Sequence, residues 1–207
     1  MWAEIDTTPE EFTLYGGTAL ALRFGHRASV AFDFFFDHPL DPDKLSAVIP
    51  YLKGAERVQV APNTRTCRVE RGGPVLVSFF GVPGLGQAAP RDQIEGKRLY
   101  TASLLDLAAT KVAIVQKRAE EKDYLDIDAL LRHGVDLPTA LAAGRIVYGR
   151  SFNPMITLKA LSYFGDLPAL SAEVRERLSA AVVAVDPATL PALTPYVKRA
   201  DENGHTP

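Results

Sequence analysis

The run SVAFDFFF at residues 29–36 constrains this chain more than any other segment. Aromatic and β-branched residues at that density specify a strand buried on at least one face. Such a strand tolerates charge poorly, because an ionised carboxylate taken out of water is expensive unless something pairs with it. Yet Asp33 stands in its middle. Side chains at i and i+2 share one face of a strand, so Ala31 lies on the same side. The preceding residues narrow the possibilities. FTLYGG, residues 12–17, reads as a strand ending in two glycines, and TALALRFG, residues 18–25, as a short helix closed by Gly25. A strand, a glycine turn and a helix amino terminus present backbone N–H groups where an anion such as a phosphate can be met. Magnesium takes oxygen donors, often one or two carboxylates together with substrate phosphates. Two acids at i and i+2 would hold one or two such ions. Here position 31 is alanine and Asp33 is the acid on that face. The plain alternative is a strand acid satisfied by a neighbouring arginine or by backbone.

The rest of the chain divides in character. DPDKLSAVIPYLKG, residues 41–54, reads as a helix capped by Asp41, with Pro42 in its first turn and Gly54 at its end. RVQVAPNTRTCRVE, residues 57–70, and PVLVSFFG, residues 74–81, read as strands joined by a turn at Arg71-Gly72-Gly73. A Gly/Pro-rich connection follows at 82–96; its GLGQAA has the look of a dinucleotide loop but opens no helix. Beyond it the signals are helical. Residues 103–134 begin with a capping box at Ser103 and Asp106 and run to Gly134, with a break near Ala119. Further helices are expected at 136–149, with Pro138 near its start, at 153–165, with Asn153 as cap and Pro154 at the first position, and at 171–185. The expectation is an α+β protein: a mixed sheet with flanking helices over 1–95, a helical domain over 97–200 and a flexible tail at 201–207.

Composition excludes some classes. Among 207 residues, 23 basic side chains face 25 acidic ones for a net charge of −2, so there is no global nucleic-acid signature. Contact with RNA would need a local basic strip, for which Arg145, Arg150 and Lys159 are available, scattered surface charge being the alternative. A lone Cys67 forms no intramolecular disulfide and fits a reducing compartment. No apolar run is long enough to cross a membrane and the first residues do not form a signal peptide, so the expected location is the cytoplasm, with no membrane partner.

The motifs, taken in order, resemble a known family. Tyr15-Gly16-Gly17, a spacer, and a strand with positions 31 and 33 where an acid pair belongs are similar to the nucleotidyltransferase superfamily. More closely, GGTALALRFGHRASVAFDFF followed by SLLDLAATKVAIVQKRAEEKDYLDIDALL resembles the AbiEii/AbiGii toxin family of nucleotidyltransferases. The resemblance spans roughly residues 12–131. It implies a nucleotidyltransferase-like sheet and transfer of a nucleoside monophosphate from a nucleoside triphosphate to a hydroxyl acceptor, tRNA or another RNA. It implies Mg²⁺ as cofactor and a cognate antitoxin as protein partner.

Site residues follow from the same match. Asp33 is the metal ligand; Gly16, Gly17, Thr18, Arg27 and Ser29 would cradle the triphosphate. Lys111 stands among Leu107, Ala108 and Val115 on a helix, an apolar setting in which an ammonium either enters a cleft or snorkels to the surface. The resemblance gives it the phosphates, with Arg118 as a weaker second. Asp123 and Asp126 share a helix face. They match the family's Lys-Asp-x-x-Asp, which implies a catalytic role, orienting Lys111 or acting as general base on the acceptor. Against this stands an ordinary Lys122–Asp126 surface pair. Asp128 reads as plain surface and His26 as structural. The family's first acid is Ala31 here, and on the strand VLVSFF, where a third acid often lies, the chain has Ser78. That departure supports a second reading, a catalytically degenerate nucleotide-binding or protein-interaction module of the same fold. A third reading is an unrelated α/β enzyme that binds neither nucleotide nor Mg²⁺.

Overall fold

The computed structural model describes residues 1–199, which form two compact units. One takes residues 1–84 and 91–102; the other takes residues 85–90 and the chain from Ser103 onward. The tail expected at 201–207 lies outside the described residues.

The first unit is a seven-stranded mixed sheet with short helices. Its elements are β1 (Thr13–Tyr15), α1 (Gly16–Phe24), β2 (Ala31–Phe36), α2 (Leu45–Val48), β3 (Glu56–Ala61), β4 (Thr64–Glu70), β5 (Pro74–Gly81), β6 (Asp92–Gln93) and β7 (Tyr100–Thr101). The spatial order is β3-β4-β5-β2-β1-β7-β6. The phenylalanine-rich β2 runs parallel to β5 and antiparallel to β1. Its alternation sorts the two faces. Phe32 and Phe34 point to the side that buries Leu14, Cys67, Val69, Val77 and Phe79, while Ala31, Asp33 and Phe35 point to the other. Phe34 stacks on Phe79 with ring centroids 5.2 Å apart, and Phe12 meets Phe79 edge-on at 5.2 Å. Each large apolar side chain so buried contributes about 1.5–3 kcal/mol.

Three elements differ from expectation. The helix expected over 41–54 contracts to α2 and a 3₁₀ turn, Pro50–Leu52, because Pro50 supplies no N–H and disfavours helix at the residue before it. Asp41 accepts instead from the N–H of Asp43 at 3.1 Å. Residues 57–70 are not one strand but the hairpin β3–β4, turned at Pro62-Asn63 with Asn63 in the left-handed region at φ 58°. The connection at 82–96 contributes β6, which pairs with β7.

Arg65 on β4 is 2% exposed. Its guanidinium donates to the carbonyl of Pro42 and the hydroxyl of Ser46, both at 2.6 Å, and to Sγ of Cys67 at 3.2 Å. Among the described residues no carboxylate pairs with it. The fork ties the segment around α2 to the sheet. Lysine cannot serve three acceptors in that planar arrangement. Arg65→Lys is therefore expected to lower stability by about 1–3 kcal/mol, read as a fall in the denaturant midpoint; an unchanged midpoint would remove Arg65 from this role.

The second unit is helical: α3 (Leu104–Ile114), α4 (Glu121–Arg132), α5 (Leu137–Tyr148), α6 (Pro154–Ala160) and α7 (Ala172–Val183). Side-chain caps start four of them. Ser103 accepts from Asp106 N–H at 3.1 Å, Asp136 from Thr139 at 2.7 Å, Asn153 from Met155 at 3.0 Å and Ser171 from Val174 at 3.4 Å. The expected helix over 103–134 is two, broken between Val115 and Glu120, and the one expected over 153–165 stops at Ala160. Segment 85–90 packs on this unit, its Ala88 buried with Ala109, Ala143 and Val147. Among the described residues no helix is long and apolar enough to cross a membrane.

Candidate functional site

In the first unit the geometry centres on Asp33. The sheet register sets it between Tyr15 on β1 and Ser78 on β5. Ser78 stands opposite Thr66 on β4, whose hydroxyl hydrogen-bonds to it at 3.1 Å. A row of hydroxyls thus leads across the sheet to one half-buried carboxylate. One strand step away, Ala31 stands beside Leu76.

Gly16 opens α1 at φ 73°, a region that side chains resist. A Cβ on it would lie 2.6 Å from Oδ2 of Asp33. The carboxylate therefore rests against the bare first turn of α1, where the helix dipole favours negative charge. Two separate constraints, left-handed backbone and contact, require glycine here.

The other expected phosphate contacts are distributed around this point. The hydroxyl of Thr18 is buried; it hydrogen-bonds Ser29 Oγ at 2.8 Å and donates to the carbonyl of Ala31. Thr18 and Ser29 thereby fasten α1 to the start of β2. Arg27 donates to the carbonyl of Ala28 at 3.0 Å. Arg23 turns to β6 and β7, donating to Asp92 at 2.7 Å, Thr101 Oγ1 at 2.6 Å and the Ala102 carbonyl at 2.8 Å. Gly17 follows Gly16 in the first turn of α1.

Among the described residues no group of three or more His, Cys, Asp or Glu side chains could hold a metal ion. A carboxylate with alanine at position 31 and hydroxyls beside it fits the share that a protein would contribute to an ion already bound to phosphates.

In the second unit, Lys111 on α3 is 6% exposed. Its Nζ lies 2.8 Å from Asp123 Oδ1 and 2.6 Å from Asp126 Oδ2, both on α4 and fully buried. Arg118 Nε reaches Asp123 Oδ2 at 2.9 Å, and its Nη1 reaches Glu120 at 3.2 Å. Burial alone would push the Asp123 carboxyl up. Lys111 and Arg118 more than offset this and hold it below the usual carboxylate range. The four side chains expected to act here are thus joined in one ionic set, with Lys111 engaged by two carboxylates.

Two expectations change. Lys122 pairs with Glu120 at 2.7 Å and not with Asp126. Asp128, expected at the surface, is 3% exposed and ties α4 to α7 through Arg177 at 2.7 and 3.1 Å, with Arg132 at 3.2 Å. Asp106 was legible only as a cap. It is buried, accepts from the Ser103 hydroxyl at 2.6 Å and from the N–H of Ala88 at 2.7 Å, and its burial raises its carboxyl above the usual range.

Two measurements follow. Gly16→Ala is expected to destabilise by about 1–3 kcal/mol. Adding Asp33→Ala should remove the steric part, so the double-mutant cycle is non-additive; strict additivity would show that the two residues do not meet. For the ionic set, Lys111→Ala strands two buried carboxylates and should lose about 3–5 kcal/mol. Because the Asp123 pKa is lowered in the folded state, its stabilisation is present at neutral pH. It is lost as pH falls below the unfolded value of about 3.9. Asp123→Asn should flatten that acid limb of the stability curve; an unchanged limb would rule out Asp123 as its source.

Comparisons with known proteins bear on the family and the fold. A family model described as "Nucleotidyl transferase AbiEii toxin, Type IV TA system" matches residues 3–200. An uncharacterized protein of Aquifex aeolicus is 30% identical over 161 residues, covering 75% of each chain. Among solved structures, the chain is similar to MenT4, a nucleotidyltransferase toxin from Mycobacterium tuberculosis, with a TM-score of 0.58 at 16% identity over 86% of this chain and 77% of that one. It is also similar to a candidate nucleotidyltransferase from H. pylori, with a TM-score of 0.54 at 17% identity over 88% and 90%. At those identities the structural likeness establishes the fold, a mixed sheet with flanking helices.

Proposed function

The chain belongs to the AbiEii nucleotidyl transferase toxin family, and on that premise we propose that it transfers a nucleoside monophosphate from a nucleoside triphosphate to a hydroxyl of an acceptor RNA, tRNA being one such acceptor. The observation that carries this reading is the Asp33 carboxylate laid against Gly16 at the first turn of α1. In the reaction the acceptor oxygen attacks the α-phosphorus, the bond to the β-phosphate oxygen breaks and pyrophosphate leaves. The acceptor's proton goes to a base.

Each residue then has a role. Gly16 and Gly17 let phosphate oxygens approach backbone N–H groups. Thr18 and Ser29 hold the strand start in place, and Arg27 supplies positive charge beside it. Asp33 would hold a Mg²⁺ ion that accompanies the nucleotide, and that ion would offset phosphate charge. Lys111 and Arg118 keep Asp123 ionised, with Asp126 completing the set, and so fix the charge of the second unit. A cognate antitoxin is the proposed protein partner. The cytoplasm, where nucleoside triphosphates and RNA meet, is the proposed location.

A second reading, a degenerate nucleotide-binding module, is favoured by one residue, Ala31. Incorporation of labelled nucleotides into total RNA separates the two. The given chain is expected to show slow Mg²⁺-dependent incorporation, lost in Asp33→Asn and raised about 10-fold or more in Ala31→Asp, since about 1.4 kcal/mol of added transition-state stabilisation suffices. No incorporation by the given chain, with activity appearing in Ala31→Asp, would establish the degenerate module.

A further inference from the structure

We propose that the second unit carries a docking strip for the phosphodiester backbone of RNA, formed by Arg145, Arg150, Lys198 and Arg199 with the ring of Tyr196. The inference rests on the nucleotidyltransferase reading and names where its acceptor is gripped.

It begins with an uneven distribution of acids. Residues 137–165 contain Arg145, Arg150 and Lys159 but no Asp or Glu; residues 187–200 contain Lys198 and Arg199 and no acid, with Asp201 and Glu202 following; residues 85–90 contain none. The fold gathers these three acid-free segments. Gln87 and Val197 form an antiparallel bridge, with N–H to O distances of 2.9 and 3.1 Å. Gly86 lies so close to α5 that a Cβ would come 2.2 Å from the carbonyl oxygen of Ile146. Leu193 packs on the cluster of Ala88, Ala143 and Val147. Arg199 then reaches the Val147 carbonyl at 3.5 Å, in the last turn of α5. Arg145 is in that same turn, and Arg150 is in the 3₁₀ turn Gly149–Ser151 that follows. Lys159, on α6, is exposed and takes part in none of these contacts.

A cation near a helix carboxy terminus is ordinary, since it favours the dipole there. That accounts for Arg199 and in part for Arg145. It does not account for Arg150 and Lys198. Many exposed basic side chains elsewhere are paired, as Arg71 with Glu4, Arg98 with Glu10, Lys122 with Glu120 and Arg132 with Asp128, whereas Lys53 and Lys117 stand exposed without an ion pair among the described residues. Arg145, Arg150 and Lys198 are exposed and, among the described residues, have no carboxylate in ion-pair reach. Beside them Tyr196 leaves 62% of its surface in solvent. Guanidinium groups that match phosphate oxygens, next to an exposed ring on which a base can stack, fit RNA better than an acidic protein surface.

The test uses the full chain and a fluorescently labelled tRNA, with binding followed by anisotropy as salt is raised. Each phosphate that is no longer neutralised should flatten the slope of log affinity against log salt by about 0.7–0.9. The triple variant R145Q/R150Q/K198Q is expected to flatten it by about 2–3 and to weaken binding about 10-fold or more. Tyr196→Ala should weaken binding with the slope unchanged. Nucleoside triphosphate binding, measured by calorimetry, should be the same in all three proteins. An unaltered slope in the triple variant, absence of tRNA binding by the given chain, or equal salt-dependent binding of polyglutamate would each overturn the strip. Failure of the given chain to bind any nucleoside triphosphate would instead overturn the nucleotidyltransferase reading, whatever the tRNA result.

Discussion

The first unit depends on one close approach, that of the Asp33 carboxylate to the bare backbone of Gly16. Three sequence features exist to permit it. A strand rich in phenylalanine fixes β2 in the sheet and leaves alternate positions facing the other way. Glycine at the start of α1 accepts a positive φ and offers no Cβ. Thr18, through Ser29 and the Ala31 carbonyl, holds the helix and strand in register. A negative group against a helix amino terminus is stabilised by the dipole, which helps an acid to be tolerated in this apolar strand. The same first turn is where a phosphate would be met, and a carboxylate already beside it raises the importance of any cation that travels with the phosphate.

The second unit solves a different problem. Removing an ammonium and two carboxylates from water costs several kcal/mol per ion, and a well-packed apolar replacement would often serve stability as well. Lys111, Asp123 and Asp126 are therefore poorly explained as stabilising elements alone. Their geometry is more economical as a device that fixes charge: Lys111 spans both acids, and Arg118 holds the second oxygen of Asp123. Asp128, close by on α4, does structural work of another kind, since Arg177 and Arg132 tie it to α7 and to its own helix. Three acids within six positions of one helix thus divide between a charge-fixing set and an interhelical tie.

What the sequence made legible was local. Period and composition identify β2, β5 and most helices, and caps such as Ser103 and Asn153 are signalled within a few residues of where they act. The approach of Gly16 to Asp33 was within reach of sequence reading because it joins adjacent elements. The misses share a physical cause. Pro50 ends α2 early through a backbone effect that outweighs the apolar pattern. β6 and β7, two residues each, are too short to show a period and exist only because β1 offers an edge. Asp128 is indistinguishable from a surface acid until Arg177, 49 residues away, is brought to it. Nothing local to Arg65 signals its burial, which is set by carbonyl and hydroxyl groups around α2.

Ala31 acquires its meaning from this contrast between local and distant information. In isolation it is a small residue on a strand. Beside Asp33, on the face that meets α1, it is the position where a second carboxylate would have made a resident metal site, and the neighbouring strands do not restore one: the register offers Leu76 next to Ala31 and Ser78 next to Asp33. Hydroxyls are neutral donors that cannot balance a divalent ion alone, so the charge needed to hold magnesium has to come from the phosphates. Under the proposed function, a site of this composition would tie metal affinity to nucleotide binding, a dependence that a two-carboxylate site would weaken.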